Sequence, residues 1–187
     1  NLIDKTIVIW GGGLAASGGL IGGILSKWSP DTLLLLIFGS MSTVAIILMA
    51  LKSGNSEGNI ENNRRTFKIL GIFFPEGLMS GMVGVGGGFI TVPILNKLIR
   101  VSLRGSIANS LAMTFFAVSA GLIGKLLTGQ VPFWLSVIAV AGALPGAKLG
   151  TYVNSKLSLG NLRLGFIILL VIISVRIWVD VYLRIFN

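Results

Sequence analysis

The sequence predicts an all-α integral membrane protein: a multi-pass helical bundle built from two repeats, the first incomplete, with one helix broken by glycines. Three observations predict it. Only 11% of the 187 residues are charged and 53% are hydrophobic, with mean hydropathy +0.91, whereas soluble domains carry about 25% charged residues. The chain therefore has too little polar surface to face water all round. Apolar stretches long enough to cross a hydrocarbon core, roughly 20 residues each, recur from end to end. The 26 glycines suit membrane helices, whose backbones they allow to approach closely.

The first two candidate spans cover about 6–25 (TIVIWGGGLAASGGLIGGIL) and 32–51 (TLLLLIFGSMSTVAIILMAL). A polar stretch, KSGNSEGNIENNRRTFK, follows. Rich in Gly, Ser, Asn and charge, it reads as a solvated linker, assigned to 52–66. The third segment, 67–99, holds the cluster GVGGG and has 33 residues. At 1.5 Å per residue that is about 50 Å of helix, against a hydrocarbon core of roughly 30 Å. Glycine costs about 1 kcal/mol relative to Ala inside a helix, so Gly84, Gly86, Gly87 and Gly88 mark a break between arms at about 67–83 and 89–99. The remaining spans are 106–128, 132–153 and 162–183. Trp10, Trp134 and Trp178 fall near span ends and Trp28 in a connecting turn, the pattern of an aromatic belt.

A shift of 129 residues lays the first span on the fifth: Gly13 meets Gly142, Ser26-Lys27 meets Ser155-Lys156, Ser29 meets Ser158 and Leu33 meets Leu162. The halves implied are 1–51, the C-terminal part of a first repeat, and 67–187, a complete second repeat. A first-half counterpart of the glycine segment is expected upstream of Asn1, so the chain reads as the last six spans of an eight-span protein.

The net charge of +9 is spread between apolar blocks, as at a headgroup surface, and gives no nucleic-acid patch. Cysteine and histidine are absent, which removes disulfides, thiolate sites and the commonest general base. An enzyme is not expected, nor a metal or cofactor. Gly88 is followed by Phe89 and Ile90 rather than Lys and Ser/Thr, so the cluster is no phosphate loop of an NTPase. If all six segments cross, seven cations lie on one side and six on the other, which leaves orientation undetermined. The dense linker charges favour a cytoplasmic linker.

Broken backbone at membrane depth lines a cavity or is buried in protein, and half-helix N-termini there point at anionic groups. The N–H groups at the start of FITVPIL would face the break, with Pro93 disturbing that short arm. An anion site of backbone amides and close helix packing both remain open on spacing alone. Glu76 sits near the middle of the first arm, where an ionisable group is costly. It is either a proton-coupling carboxylate or a structural hydrogen-bonding group beside Pro75. Asn109, Ser110 and Thr114 form a polar stripe, pore-lining or a helix–helix seam. Lys148 is a counter-charge for an anion or a side chain snorkelling to the interface. Arg176 and Asp180, at i and i+4, predict an intrahelical ion pair.

The stretch GLMSGMVGVGGGFITVPIL resembles the signature of the sulfite exporter TauE/SafE family, also called the toluene-sulfonate uptake permease family. Its members carry G-x-GGG-x-x-x-x-P-x-L at the start of each half. SIANSLAMTF, GQVPFWL and GALPGAKLGTYVNSKLSLGNLR continue the resemblance in order. Where the family has Gly-Thr-Ser, this chain has Asn109-Ser110 after Ala108. The resemblance implies a permease for small anions in the cytoplasmic membrane, sulfite, organosulfonates or related organic anions, working by alternating access at the broken helix. It also implies Gly84, Gly86, Gly87, Gly88, Pro93, Asn109, Ser110 and Thr114 as substrate-binding residues. The alternative is a truncated or partner-dependent subunit without independent transport, and a homo-oligomer or a missing N-terminal half stays open.

Overall fold

The computed structural model describes residues 3–50 and 71–186, and every regular element among them is helical. The predicted linker 52–66 lies outside the described residues. A π-helical turn, Ile7–Gly11, leads into α1 (Gly12–Leu25), which closes in a 3-10 turn, Ser26–Trp28. The others are α2 (Asp31–Ala50), α3 (Phe73–Val83), α4 (Gly88–Lys97), α5 (Leu103–Leu127), α6 (Phe133–Lys156) and α7 (Leu159–Phe186). Five stretches are long and apolar enough to cross a membrane: Ile7–Trp28, Asp31–Ala50, Leu103–Leu127, Phe133–Val153 and Gly160–Arg184. The protein is thus a multi-pass helical membrane protein, as the sequence predicts.

Local chemistry sets the helix ends. Ser102 caps α5, its Oγ accepting the Gly105 N–H at 3.2 Å. Gly129, at φ +71°, ends the same helix: its N–H reaches the Leu126 carbonyl at 3.1 Å, and that of Gln130 the Lys125 carbonyl at 2.9 Å. Asp31 puts a carboxylate in the first turn of α2, where the helix dipole favours it.

The bundle is organised around α1, which glycines press between α3 and α5. A Cβ on Gly18 or Gly22 would collide with the backbone of α3, at Phe74 and Leu78. One on Gly19 or Gly23 would lie 2.6 Å and 2.5 Å from the Ala117 and Gly121 carbonyl oxygens of α5. Such backbone-to-backbone approach replaces the hydrophobic driving force that lipid removes. Ile7, Ala15, Phe73, Leu95 and Met113 form the adjoining core. No described residue of α6 is buried.

Contact order along the helices gives their directions. Ala15 meets Gly77 and Gly19 meets Gly81, so α3 runs parallel to α1; Gly12 meets Met113 and Gly23 meets Gly121, so α5 does too. Gly87 lies against Ser80 and Glu76, and Thr91 bonds back to Glu76, so α4 runs antiparallel to α3. The two arms of the glycine-broken segment therefore fold into a re-entrant hairpin instead of crossing, a correction to the expectation that all six segments cross. The arms are also shorter than expected, at 73–83 and 88–97.

The reversal changes the sidedness of the charges. Among the described residues, Lys5, Lys97, Arg100, Arg104, Lys156 and Arg163 lie towards the face where α2 ends and α7 begins, here the first face. Lys27, Lys125 and Arg184 lie towards the second face. α2 and α7 are antiparallel: Arg163 Nε donates to the Met49 carbonyl at 3.1 Å, and Arg184 pairs with Asp31 at 3.4 Å. The expected Arg176–Asp180 pair does not form; an exposed i, i+4 pair gains only a few tenths of a kcal/mol against solvation.

Candidate functional site at the hairpin tip

Three glycines with positive φ make the tip: Gly84 (+85°), Gly86 (+84°) and Gly87 (+63°). Gly84 ends α3 in the left-handed conformation, its N–H bonded to the Ser80 carbonyl at 2.7 Å. A left-handed L-residue costs roughly 1–2 kcal/mol, so a reversal in four residues falls to glycine. Space demands it as well, because a Cβ on Gly87 would collide with Glu76 Oε1 and one on Gly88 would lie 2.9 Å from Thr114 Oγ1.

Several of the amides expected to await an anion have partners within the chain. Gly88 N–H donates to the Gly86 carbonyl at 2.8 Å, and the N–H groups of Ile90 and Thr91 both donate to the Gly87 carbonyl, at 2.9 and 3.0 Å. The tight turn aims its own carbonyls at the first donors of α4. Polar side chains gather around the same tip.

Glu76 is 7% exposed and accepts a hydrogen bond from Thr91 Oγ1 at 3.1 Å, and the Ser80 hydroxyl also lies against Gly87. No cation pairs with this carboxyl among the described residues.

On the outer side of the hairpin lies a cavity of about 250 Å³ between α2, α4, α5 and α7. Gly88, Ser110 and Thr114 line it, with Arg163 and the apolar side chains of Met49, Val92, Ile107, Leu111, Leu162 and Phe166. Ser110 Oγ donates to the Ile107 carbonyl at 2.9 Å, whereas the buried Thr114 Oγ1 has no hydrogen-bond partner. Lys97, the last residue of α4, has its pKa lowered by burial and, second, by the like charge of Arg163.

Other expected residues lie elsewhere. Asn109 is 1% exposed, with Nδ2 donating to the Gly105 carbonyl at 2.7 Å and Oδ1 accepting the Asp4 N–H at 2.8 Å. It fastens the N-terminal segment to α5. Pro93 is buried within α4, which continues through it, and Gly84 lies over the Lys125 side chain. Lys148 is exposed on α6 and joins none of these groups.

Sequence reasoning missed Thr91, Ser80, Arg163 and Lys125. Thr91 stands four residues after Gly87, a helical spacing that could have placed it beside Glu76. Lys125 donates to the Met82 carbonyl at 3.2 Å and to Ser26 Oγ at 3.0 Å, closing the C-terminal end of α3. Only the packed structure brings Arg163 to the cavity.

The profile of the family described as Sulfite exporter TauE/SafE matches residues 1–177. A protein of Paramagnetospirillum magneticum named "Probable membrane transporter protein MamO" is 34% identical over 117 residues, covering 55% of this chain and 18% of that protein. "Probable membrane transporter protein YunE" of Bacillus subtilis is 27% identical over 108 residues, 58% of this chain and 40% of its own length. A "Probable membrane transporter protein" of Xylella fastidiosa is 28% identical over 169 residues, 87% of this chain and 63% of its own length. The chain thus spans less than two thirds of each of these relatives. No solved structure matches it.

Proposed function

Because the chain belongs to the sulfite exporter TauE/SafE family, we propose that it is a permease moving small anions across the cell membrane by alternating access at the α3–α4 hairpin. Sulfite, organosulfonates and related organic anions are the substrates this reading takes. The observation that carries it is the re-entrant tip, with a buried carboxyl on its inner side and a cavity lined by Ser110, Thr114 and Arg163 on its outer side.

The two sides are electrostatically linked through a thin wall, since Gly87 touches Glu76 and Gly88 touches Thr114. An anion at Thr114 and an ionised Glu76 would repel each other in a medium that screens poorly. Anion binding therefore favours the protonated carboxyl, and a proton travels with the anion. The Thr91 hydroxyl holds the ionised form once the anion has left. Movement of the hairpin about Gly84, Gly86 and Gly87 would alternate access, absorbing the φ/ψ change at residues without a Cβ.

Six cations against three among the described residues favour a cytoplasmic first face under the positive-inside rule. A second reading, a subunit that transports only with a partner, is favoured by the exposure of α6 along its length. Flux in liposomes separates the two. The purified chain should take up sulfite, sulfonates or carboxylates faster with an inward proton gradient, and Glu76→Gln should abolish that acceleration. Absence of flux for every anion would reject the permease reading of this chain alone.

A further inference from the structure

The cavity outside the hairpin is almost wholly apolar and runs along a membrane helix. Leu103, Ile107 and Leu111 line it at four-residue intervals on one face of α5, a rise of about 12 Å. Half of a hydrocarbon core of roughly 30 Å is about 15 Å, so the cavity covers most of the depth of one leaflet. It extends from Arg163 at the first face to Gly88 at the hairpin tip. Leu111 lines it and is yet 67% exposed, and Phe115, one turn further along α5, is 68% exposed, so the cavity opens sideways into the bilayer. An apolar cavity of about 150 Å³ holds the six carbons of benzene. The 250 Å³ here takes roughly ten carbons of a chain on that scale.

We propose that this cavity seats one acyl chain of an anionic phospholipid from the first-face leaflet, with the headgroup phosphate held by the cations at its rim. The inference goes beyond the permease reading and does not depend on it. Arg163 stands at the first-face end of the cavity, its Nε donating to the Met49 carbonyl at 3.1 Å. Burial and, second, the like charge of Arg163 lower the Lys97 pKa, so these two cations stand close together. The loop after α4 and the first turn of α5 add Arg100 and Arg104, and residues 96–106 contain no acid. Arg100 holds φ +64°, a left-handed position that glycine would fill with less strain, so a cation is kept there against the backbone preference. Asp4, the acid of this face among the described residues, is engaged locally, its Oδ1 accepting the Thr6 and Ile7 N–H groups at 2.8 and 3.3 Å. Basic pockets between membrane helices bind anionic headgroups in this way, whereas a choline headgroup would bring its own cation to the rim. A free phosphate would gain nothing from the apolar walls. A tail at full depth lies against Gly88, so lipid occupancy and movement of the hairpin are coupled.

The test is lipid association with the purified chain in phosphatidylcholine nanodiscs, read by electron paramagnetic resonance of lipids spin-labelled on the acyl chain. Phosphatidylglycerol should show a saturable, immobilised population. It should associate at least about tenfold more strongly than phosphatidylcholine with the same tails, since each cation near the headgroup contributes about fivefold, ~1 kcal/mol. Arg104→Gln, at an exposed position, should lower that preference about fivefold, and Arg163→Gln by a similar factor. Lys27→Gln, on the second face, should leave it unchanged. Leu111→Trp, which closes the mouth with an indole at an exposed position, should remove the immobilised phosphatidylglycerol while every cation stays in place. Equal association of the two lipids overturns the inference, as does a preference that survives both arginine variants or falls as much in Lys27→Gln. An immobilised population unchanged in Leu111→Trp overturns it too and would mark attraction of headgroups to the surface alone. Glycerol 3-phosphate, a headgroup without tails, should displace none of the bound lipid even in large excess; displacement would mark a free-phosphate site and defeat the proposal. Anion flux is scored separately, so the permease reading and the lipid seat can fail independently.

Discussion

Gly87→Ala tests the geometry of the tip, because two separate costs meet at one position. The backbone stands at φ +63°, ψ −12°, where an alanine costs roughly 1–2 kcal/mol. The added Cβ would also run into Glu76 Oε1 and drive the carboxyl from the Thr91 hydroxyl, a hydrogen bond of 3.1 Å worth about 1–2 kcal/mol. Together the substitution should destabilise the protein by about 2–4 kcal/mol. In a Glu76→Ala background the collision disappears and only the backbone cost remains, about 1–2 kcal/mol. Equilibrium unfolding of the four proteins in one detergent measures the difference as a double-mutant coupling. Equal cost of Gly87→Ala in both backgrounds would refute the contact between tip and carboxyl. A cost near zero would refute the left-handed turn itself.

Other outcomes follow from the packing. Gly22→Ala puts a Cβ into the Leu78 carbonyl and should destabilise by about 1–3 kcal/mol, despite the better helix propensity of Ala. Gly13→Ala, where a Cβ meets nothing within 4 Å, should stabilise by up to about 1 kcal/mol; thermal melting of the two variants should move in opposite directions. Because the chain has no cysteine, Arg100→Cys and Lys27→Cys can be labelled singly with an impermeant maleimide. Arg100→Cys should react only when the reagent reaches the first face, and Lys27→Cys only from the opposite face. Labelling of both from one side would contradict the re-entrant hairpin. Ser102→Ala removes the cap on Gly105 N–H and should lower stability by about 1 kcal/mol, read by the same melts.

Much of the site was legible before any coordinates. The length of 67–99 forces a break, and the glycines show where. The depth of Glu76 marks it as unusual, since few residues of that kind are tolerated there. The stripe of Asn109, Ser110 and Thr114 is visible as spacing but divides in space: Asn109 fastens the N-terminal segment, Ser110 bonds its own helix, and Thr114 faces the cavity. Spacing gives the azimuth of a side chain on its helix, not what the neighbouring helix presents to it.

The sequence by itself determined the solvent, the helical class and the five unbroken apolar stretches, because each follows from composition and from the fixed rise of a helix against a fixed membrane thickness. It also located the break, since glycine weakens a helix wherever it stands. Only the tertiary structure decided that the broken arms turn back. A break interrupts hydrogen bonds without giving the chain a direction; three positive φ angles and the contacts of Gly87 with Glu76 and Ser80 give it one. That single reversal moves every later charge to the other face and brings Arg163 to a cavity that no linear pattern announces.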